Sequence, residues 1–152
     1  MNQQVRLELV WWVFTILAAV GLVYPIIAKA EHYPFTLSNV VFIVAFITLA
    51  RYIFLLKHTF LAHNQWAKSA CIVACIPLIS YLINEVFFFQ SFIDEQGPEA
   101  IFGNVPLASM GNIVDYMKSE MVFFGVGAAI TAIIFPFRML ISIWRNRNRG
   151  TV

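Results

Sequence analysis

The chain has 152 residues, of which 61% are hydrophobic and 12% are charged, and its formal net charge is +2. A soluble domain is typically about 45–50% apolar and about 25% charged, so this composition excludes an ordinary soluble domain and indicates one membrane domain over residues 1–152. The small charge, with no basic cluster among aromatic residues, argues against nucleic acid as a partner.

The first apolar stretch runs from Val10 to about Ile27, and Trp11 and Trp12 stand near its start, where an aromatic interface belt is expected. The sequence Ala28-Lys29-Ala30 after it matches the small-x-small pattern of signal-peptide cleavage sites. However, the apolar stretch is longer than the usual signal-peptide core of about 7–15 residues and begins with two tryptophans. We therefore expect a retained transmembrane span at residues 10–27.

The second predicted span covers residues 37–56. Asn39 lies near its start, and Arg51 lies in its last third, close enough to the end for the side chain to extend toward water. Residues 57–68 form a basic, amphipathic connection to the next span.

The third predicted span covers residues 69–92, inside an apolar stretch bounded by Lys68 and Asp94. At about 100° per residue, small and polar side chains share one arc of this helix, and large apolar side chains share the opposite arc. We expect the first arc to face protein and the second to face lipid. The first arc holds Ala70, Ala74, Pro77, Tyr81, Asn84 and Glu85, and the second holds Ile72, Ile76, Ile79, Ile83 and Phe87.

Cysteine and histidine give no sign of a disulfide, a metal or a haem. Cys71 and Cys75 are four residues apart on one helix, a geometry that rarely suits a disulfide. His58 and His63 are five residues apart, which does not match the i, i+4 spacing of helical metal motifs, and no predicted span contains a histidine. The sequence therefore predicts no cofactor and no metal site.

Residues 94–118 form the one long polar segment, which begins with acidic residues and a Gly97-Pro98 turn signal. Within it, residues 107–118 show apolar positions at spacings of three and four, which is typical of a helix lying in the membrane interface.

The fourth predicted span covers residues 120–144. It carries a stripe of small residues that would let two helix backbones approach closely: Gly125, Ala128, Ala129 and Ala132. Glu120 and Arg138 stand toward opposite ends of this span, and we expect both to be interface anchors.

Four spans place both termini on one side of the membrane. That side would carry eight basic residues and the other side only Lys29 and Lys118. The positive-inside rule then predicts cytoplasmic termini and an outer loop at 94–118. The sequence thus predicts an all-α membrane protein, a four-helix bundle in the bacterial inner membrane. The eight basic residues are Arg6, Arg51, Lys57, Lys68, Arg138, Arg145, Arg147 and Arg149.

Glu85 is the acid placed deepest in an apolar stretch, and Asn84, Tyr81 and Asn39 are its candidate polar neighbours. Such a group serves either a proton, a cation or a substrate, or it is a structural hydrogen-bonded carboxyl. The sequence has no GxSxG, HExxH, P-loop or dinucleotide motif, and the position of both cysteines at the inner end of a span argues against a disulfide oxidase.

We therefore expect a non-enzymatic membrane subunit or accessory protein. Its partners would be the lipid bilayer and either another membrane protein or a second copy of the chain, with the small-residue stripes as packing surfaces. The alternative is a small proton- or cation-coupled transporter or channel that uses Glu85.

Overall fold

The structure, a computed structural model, describes residues 3–30, 32–56, 59–62, 64–103 and 106–148. Over these ranges the chain is helical and forms no strand. The helices are α1 (Gln3–Ile27), α2 (Thr36–Leu55), α3 (Gln65–Gln96), α4 (Glu99–Phe102) and α5 (Leu107–Asn148), with a 3₁₀ turn at Phe60–Ala62. Lys57, His58, His63 and Arg149, which were named above, lie outside the described residues.

Four helices, α1, α2, α3 and α5, are long and apolar enough to cross a membrane. This confirms the prediction of an all-α chain with four apolar helices of spanning length. Large apolar side chains remain exposed along all four, as expected where lipid rather than water surrounds the protein.

The helices α3 and α5 are much longer than the predicted spans. They contain 32 and 42 residues, and at 1.5 Å per residue they are about 48 and about 63 Å long. A bilayer core is about 30 Å thick, so both helices continue beyond it. The helix predicted at residues 107–118 is present, and it forms the first turns of α5 rather than a separate element.

The predicted long loop at 94–118 is correspondingly shorter, because α3 continues to Gln96 and α5 begins at Leu107. Gly97 ends α3 with a φ of 75°, and its N–H donates to the Ile93 carbonyl. A positive φ is strained for other residues, so glycine suits this helix end. The short helix α4 then carries Ile101 and Phe102, which are fully buried in the same hydrophobic core as Ile93 of α3 and Met110 of α5.

The helix α5 is the central element of the packing. It packs most extensively against α2 and then against α3, whereas α1 packs mainly against α2. At Gly125 the backbone lies so close to both neighbours that an added Cβ would be 2.7 Å from Val86 Cγ2 of α3 and 3.0 Å from Phe42 Cε2 of α2. Ala128 and Ala132 are fully buried, and Ala129 is partly buried. The small residues named on α5 thus lie where the helices meet.

The two-sided division predicted for α3 needs correction. Its buried side chains recur at seven-residue spacing, namely Lys68, Cys75, Leu82 and Phe89. Ile72 and Ile79, predicted to face lipid, are partly buried and pack against the core, whereas Ile76, Ile83 and Phe87 are exposed. Ala70, Ala74, Pro77 and Asn84, predicted to face protein, are exposed as well.

The helix α3 therefore has three faces. One packs on α5, one exposes large apolar side chains, and one exposes the four residues Ala70, Ala74, Pro77 and Asn84, which we call the small-residue face. Hydrophobicity could not separate these faces, because the protein core and the lipid are equally apolar surroundings for an isoleucine.

Candidate functional site

The end of α1, the start of α2, the end of α3 and the start of α5 lie at one end of the helices, here called the loop end. The described connecting residues there are 28–30, 32–35, 97–103 and 106. Phe35, which precedes α2, packs against three rings of α3, with centroids 5.5 Å away at Phe88, 5.3 Å at Phe89 and 5.1 Å at Phe92. The start of α2 is therefore level with this part of α3, and the polar side chains of both helices meet here.

Tyr33, Asn39 and Glu120 form a buried polar cluster at the loop end. Asn39, in the first turns of α2, is fully buried, and its Nδ2 donates to the Tyr33 hydroxyl oxygen at 3.0 Å. Glu120 of α5 lies beside the Asn39 amide, and its side chain is buried, with 6% exposure. Burial raises the pKa of the Tyr33 phenol, which stays a neutral hydroxyl at physiological pH.

Three oxygens of the buried polar cluster have no hydrogen-bond donor among the residues that the structure describes. They are both carboxyl oxygens of Glu120 and the Asn39 Oδ1 atom. Unpaired buried acceptors of this kind are costly, because each has lost its hydrogen bonds to water. The prediction that Glu120 is an interface anchor is therefore wrong, because its carboxyl group is directed into the protein.

Glu85 lies in a separate place, where its Oε2 accepts a short hydrogen bond from the Ser38 hydroxyl of α2. Asn84 is exposed, Tyr81 is partly buried against the core, and Asn39 belongs to the buried polar cluster. The structure thus distributes the four predicted polar residues over different surroundings.

The opposite end of the helices, here called the basic end, is held by an ion pair between α1 and α2. Both guanidinium Nη atoms of Arg51 lie 2.8 Å from the two carboxylate oxygens of Glu8. The Arg51 side chain also lies over the rings of Trp11 and Tyr52, at 5.5 and 5.4 Å from their centroids. Arg51 is 7% exposed, so the expectation that it extends toward water is wrong.

Two further cations join helices at the basic end. Arg138 of α5 donates from Nε to the Ile53 carbonyl at 3.1 Å, which satisfies one of the unpaired carbonyls at the end of α2. Lys68 is fully buried, and its Nζ donates to the Ala62 carbonyl at 2.8 Å and to Ser142 Oγ of α5 at 3.0 Å. These contacts hold α2, α3 and α5 together, so the cations have structural roles.

Sequence reasoning missed the roles of Glu8, Ser38 and Tyr33. Each is a polar residue within a few positions of a predicted span boundary, where polar residues are ordinary. The available signal was opposite charge on neighbouring spans, since Glu8 and Arg51 both stand toward the predicted cytoplasmic side.

The described residues offer no site for metal chemistry. No three His, Cys, Asp or Glu side chains converge where they could hold a metal within that part of the chain, and Cys71 and Cys75 are free thiols. Comparisons with protein-family models, with curated proteins and with solved structures find no match to this chain.

Proposed function

We propose that the chain is a non-enzymatic membrane subunit that packs against a partner membrane protein through the small-residue face of α3. The single observation that carries this proposal is the exposure of Ala70, Ala74, Pro77 and Asn84 along one side of a membrane-spanning helix.

The contrast between the two exposed faces of α3 supports a protein partner on one of them. Ile76 and Phe87 are 67% and 64% exposed and present the bulky apolar surface expected against lipid. The small-residue face instead presents the small side chains of Ala70 and Ala74 over the first half of α3, while Trp66 and Phe88 are exposed beyond its two ends. Small residues at such spacing let two backbones approach closely, and an exposed amide such as Asn84 can hydrogen-bond across a helix pair.

The distribution of charge supports an orientation with both termini in the cytoplasm of a bacterial cell. Contacts of Arg51, Lys68 and Arg138 join the start of α1, the end of α2, the start of α3 and the end of α5 at the basic end. By the positive-inside rule this end faces the cytoplasm and the loop end faces outward.

A transporter or channel that uses Glu85 is the alternative proposal. Such a protein needs polar groups along a path between the two ends. In the described part of the chain, Phe42, Leu49, Ala128 and Ala132 fill the middle with buried apolar side chains. Thr131, which lies between the ends, donates to carbonyls of its own helix. This packing favours the subunit proposal.

Complex formation in native membranes tests the proposal with two matched variants. Ala74→Phe adds a ring to the small-residue face, and Ile76→Phe adds a ring to the lipid-facing surface of the same helix. We expect the Ala74 variant to run at a lower mass in native gels after mild solubilisation, while Ile76→Phe keeps the mass of the wild type. Both should melt at the wild-type temperature, because both positions are exposed in the chain itself. A wild-type protein that migrates as a single chain would contradict the proposal.

A further inference from the structure

The buried polar cluster has a consequence that is independent of any partner. Glu120 lies beside the first turns of α2, 13 residues after the start of α5, and is almost fully buried. A buried ionised carboxylate normally needs a cation or several hydrogen-bond donors.

The groups that face Glu120 do not supply such a cation. Among the described residues, the titratable groups near it are Tyr33, from the connection before α2, and Tyr116, one turn earlier on α5, and both are neutral phenols. The Tyr116 hydroxyl is directed to α1, where it donates to the Leu22 carbonyl at 2.9 Å. Lys118 lies on another side of α5, where it lines a recess with Asp94 of α3.

The hydrogen bonds of the buried polar cluster also leave three acceptor oxygens unpaired in the described part of the chain. Asn39 uses an Nδ2 hydrogen on Tyr33 and leaves its Oδ1 without a donor, while both oxygens of Glu120 are acceptors without donors. An ionised glutamate can only accept, whereas a protonated one also donates. One proton on Glu120 therefore removes the buried charge and adds a donor to a cluster whose unpaired groups are all acceptors.

We propose that Glu120 is a proton-binding site, in which the protonated carboxylic acid donates its hydrogen bond to Asn39. The charge argument does not depend on which way the Asn39 amide is turned. In the opposite orientation the amide would donate to Glu120, but the carboxylate would still have no counter-ion among the described residues.

Release of this proton would leave an anion between α2 and α5. Deprotonation at alkaline pH should therefore weaken the packing of these two helices at the loop end, which would make the cluster a pH-sensitive contact. The basic end should be affected less, because two of its contacts involve Arg51 and Arg138, which stay protonated over this pH range.

Infrared spectroscopy of the purified full chain in lipid tests the site directly. A protonated carboxylic acid gives a carbonyl-stretch band that a carboxylate lacks. We expect this band at neutral pH in the wild type and in Asp115→Asn, an exposed control on the same helix. Glu120→Gln should lose the contribution of Glu120, and its thermal stability should fall less than that of the wild type as the pH is raised. An unchanged band in Glu120→Gln, or an unchanged pH dependence, would overturn the proposal.

A second variant keeps the test decisive if Glu120→Gln does not fold. Asn39→Leu retains the carboxyl group and removes its proposed acceptor, so the acid band should shift to the higher frequency of a less hydrogen-bonded carbonyl. A band that stays in place in this variant would show that the acid does not donate to Asn39, and would also overturn the proposal.

Discussion

The close contact at Gly125 makes a quantitative prediction about the packing of α5. In Gly125→Ala the new methyl group would meet Val86 Cγ2 at 2.7 Å and Phe42 Cε2 at 3.0 Å, on two different helices. Movement of α5 cannot relieve both contacts easily, because Phe42 is fully buried. Overpacking of this kind costs about 1–3 kcal/mol, against about 1 kcal/mol gained from the better helix propensity of alanine. We expect a net loss of up to about 2 kcal/mol in the free energy of unfolding.

Two other glycines of α5 provide matched controls. At Gly127 the added Cβ would meet only the ring of Phe46, at 2.9 Å, and this side chain is partly buried and freer to move. At Gly111 the Cβ would meet nothing within 4 Å, so Gly111→Ala should gain about 1 kcal/mol from propensity alone. Denaturant unfolding in mixed micelles should rank the variants in the order Gly111, Gly127, Gly125, from most to least stable. Equal stability of the Gly125 and Gly111 variants would refute the proposed helix contact.

Three further predictions concern the polar contacts at the two ends. Glu8→Gln should destabilise the protein by more than the ~1 kcal/mol typical of an exposed ion pair, because it leaves Arg51 buried without an anion. In an unfolding titration, adding Arg51→Met to the Glu8→Gln chain should restore part of the lost stability. Glu85→Gln should keep the wild-type melting temperature, because its amide oxygen can still accept the hydrogen bond from Ser38, whereas Ser38→Ala should lose about 1 kcal/mol of unfolding free energy. Equal losses of stability in the two variants would contradict this prediction. Lys68→Met should cost about 1–3 kcal/mol, because it removes the contact between α3 and α5 at the basic end, and hydrogen exchange should rise there rather than at the loop end.

The sequence predicts the existence and order of the four apolar helices because hydropathy over about 20 residues is a strong signal. It underestimates α3 and α5 because polar residues such as Asp94 and Lys118 lower the hydropathy without interrupting the helix. Hydropathy reports where a chain can lie in lipid, and does not report where a helix begins or ends.

The candidate site was harder to predict for a different physical reason. Glu120 and Arg51 both stand near the end of an apolar stretch, where a charged side chain ordinarily reaches water. Whether such a side chain turns inward depends on a partner from a distant part of the chain, as with Asn39 beside Glu120 and Glu8 beside Arg51. Spacing along one helix carries no information about these partners.

Site-specific photocrosslinking in intact cells is the most direct test of the proposed subunit role. A photoreactive residue would be placed at Ala74 on the small-residue face and, as the control, at Ile76 on the lipid-facing surface of α3. We predict one discrete protein adduct from position 74 and none from position 76. Its mass would show whether the partner is a second copy of the chain or another membrane protein. The absence of a discrete adduct at position 74, or the same adducts from both positions, would contradict the proposal that this face of α3 binds a partner.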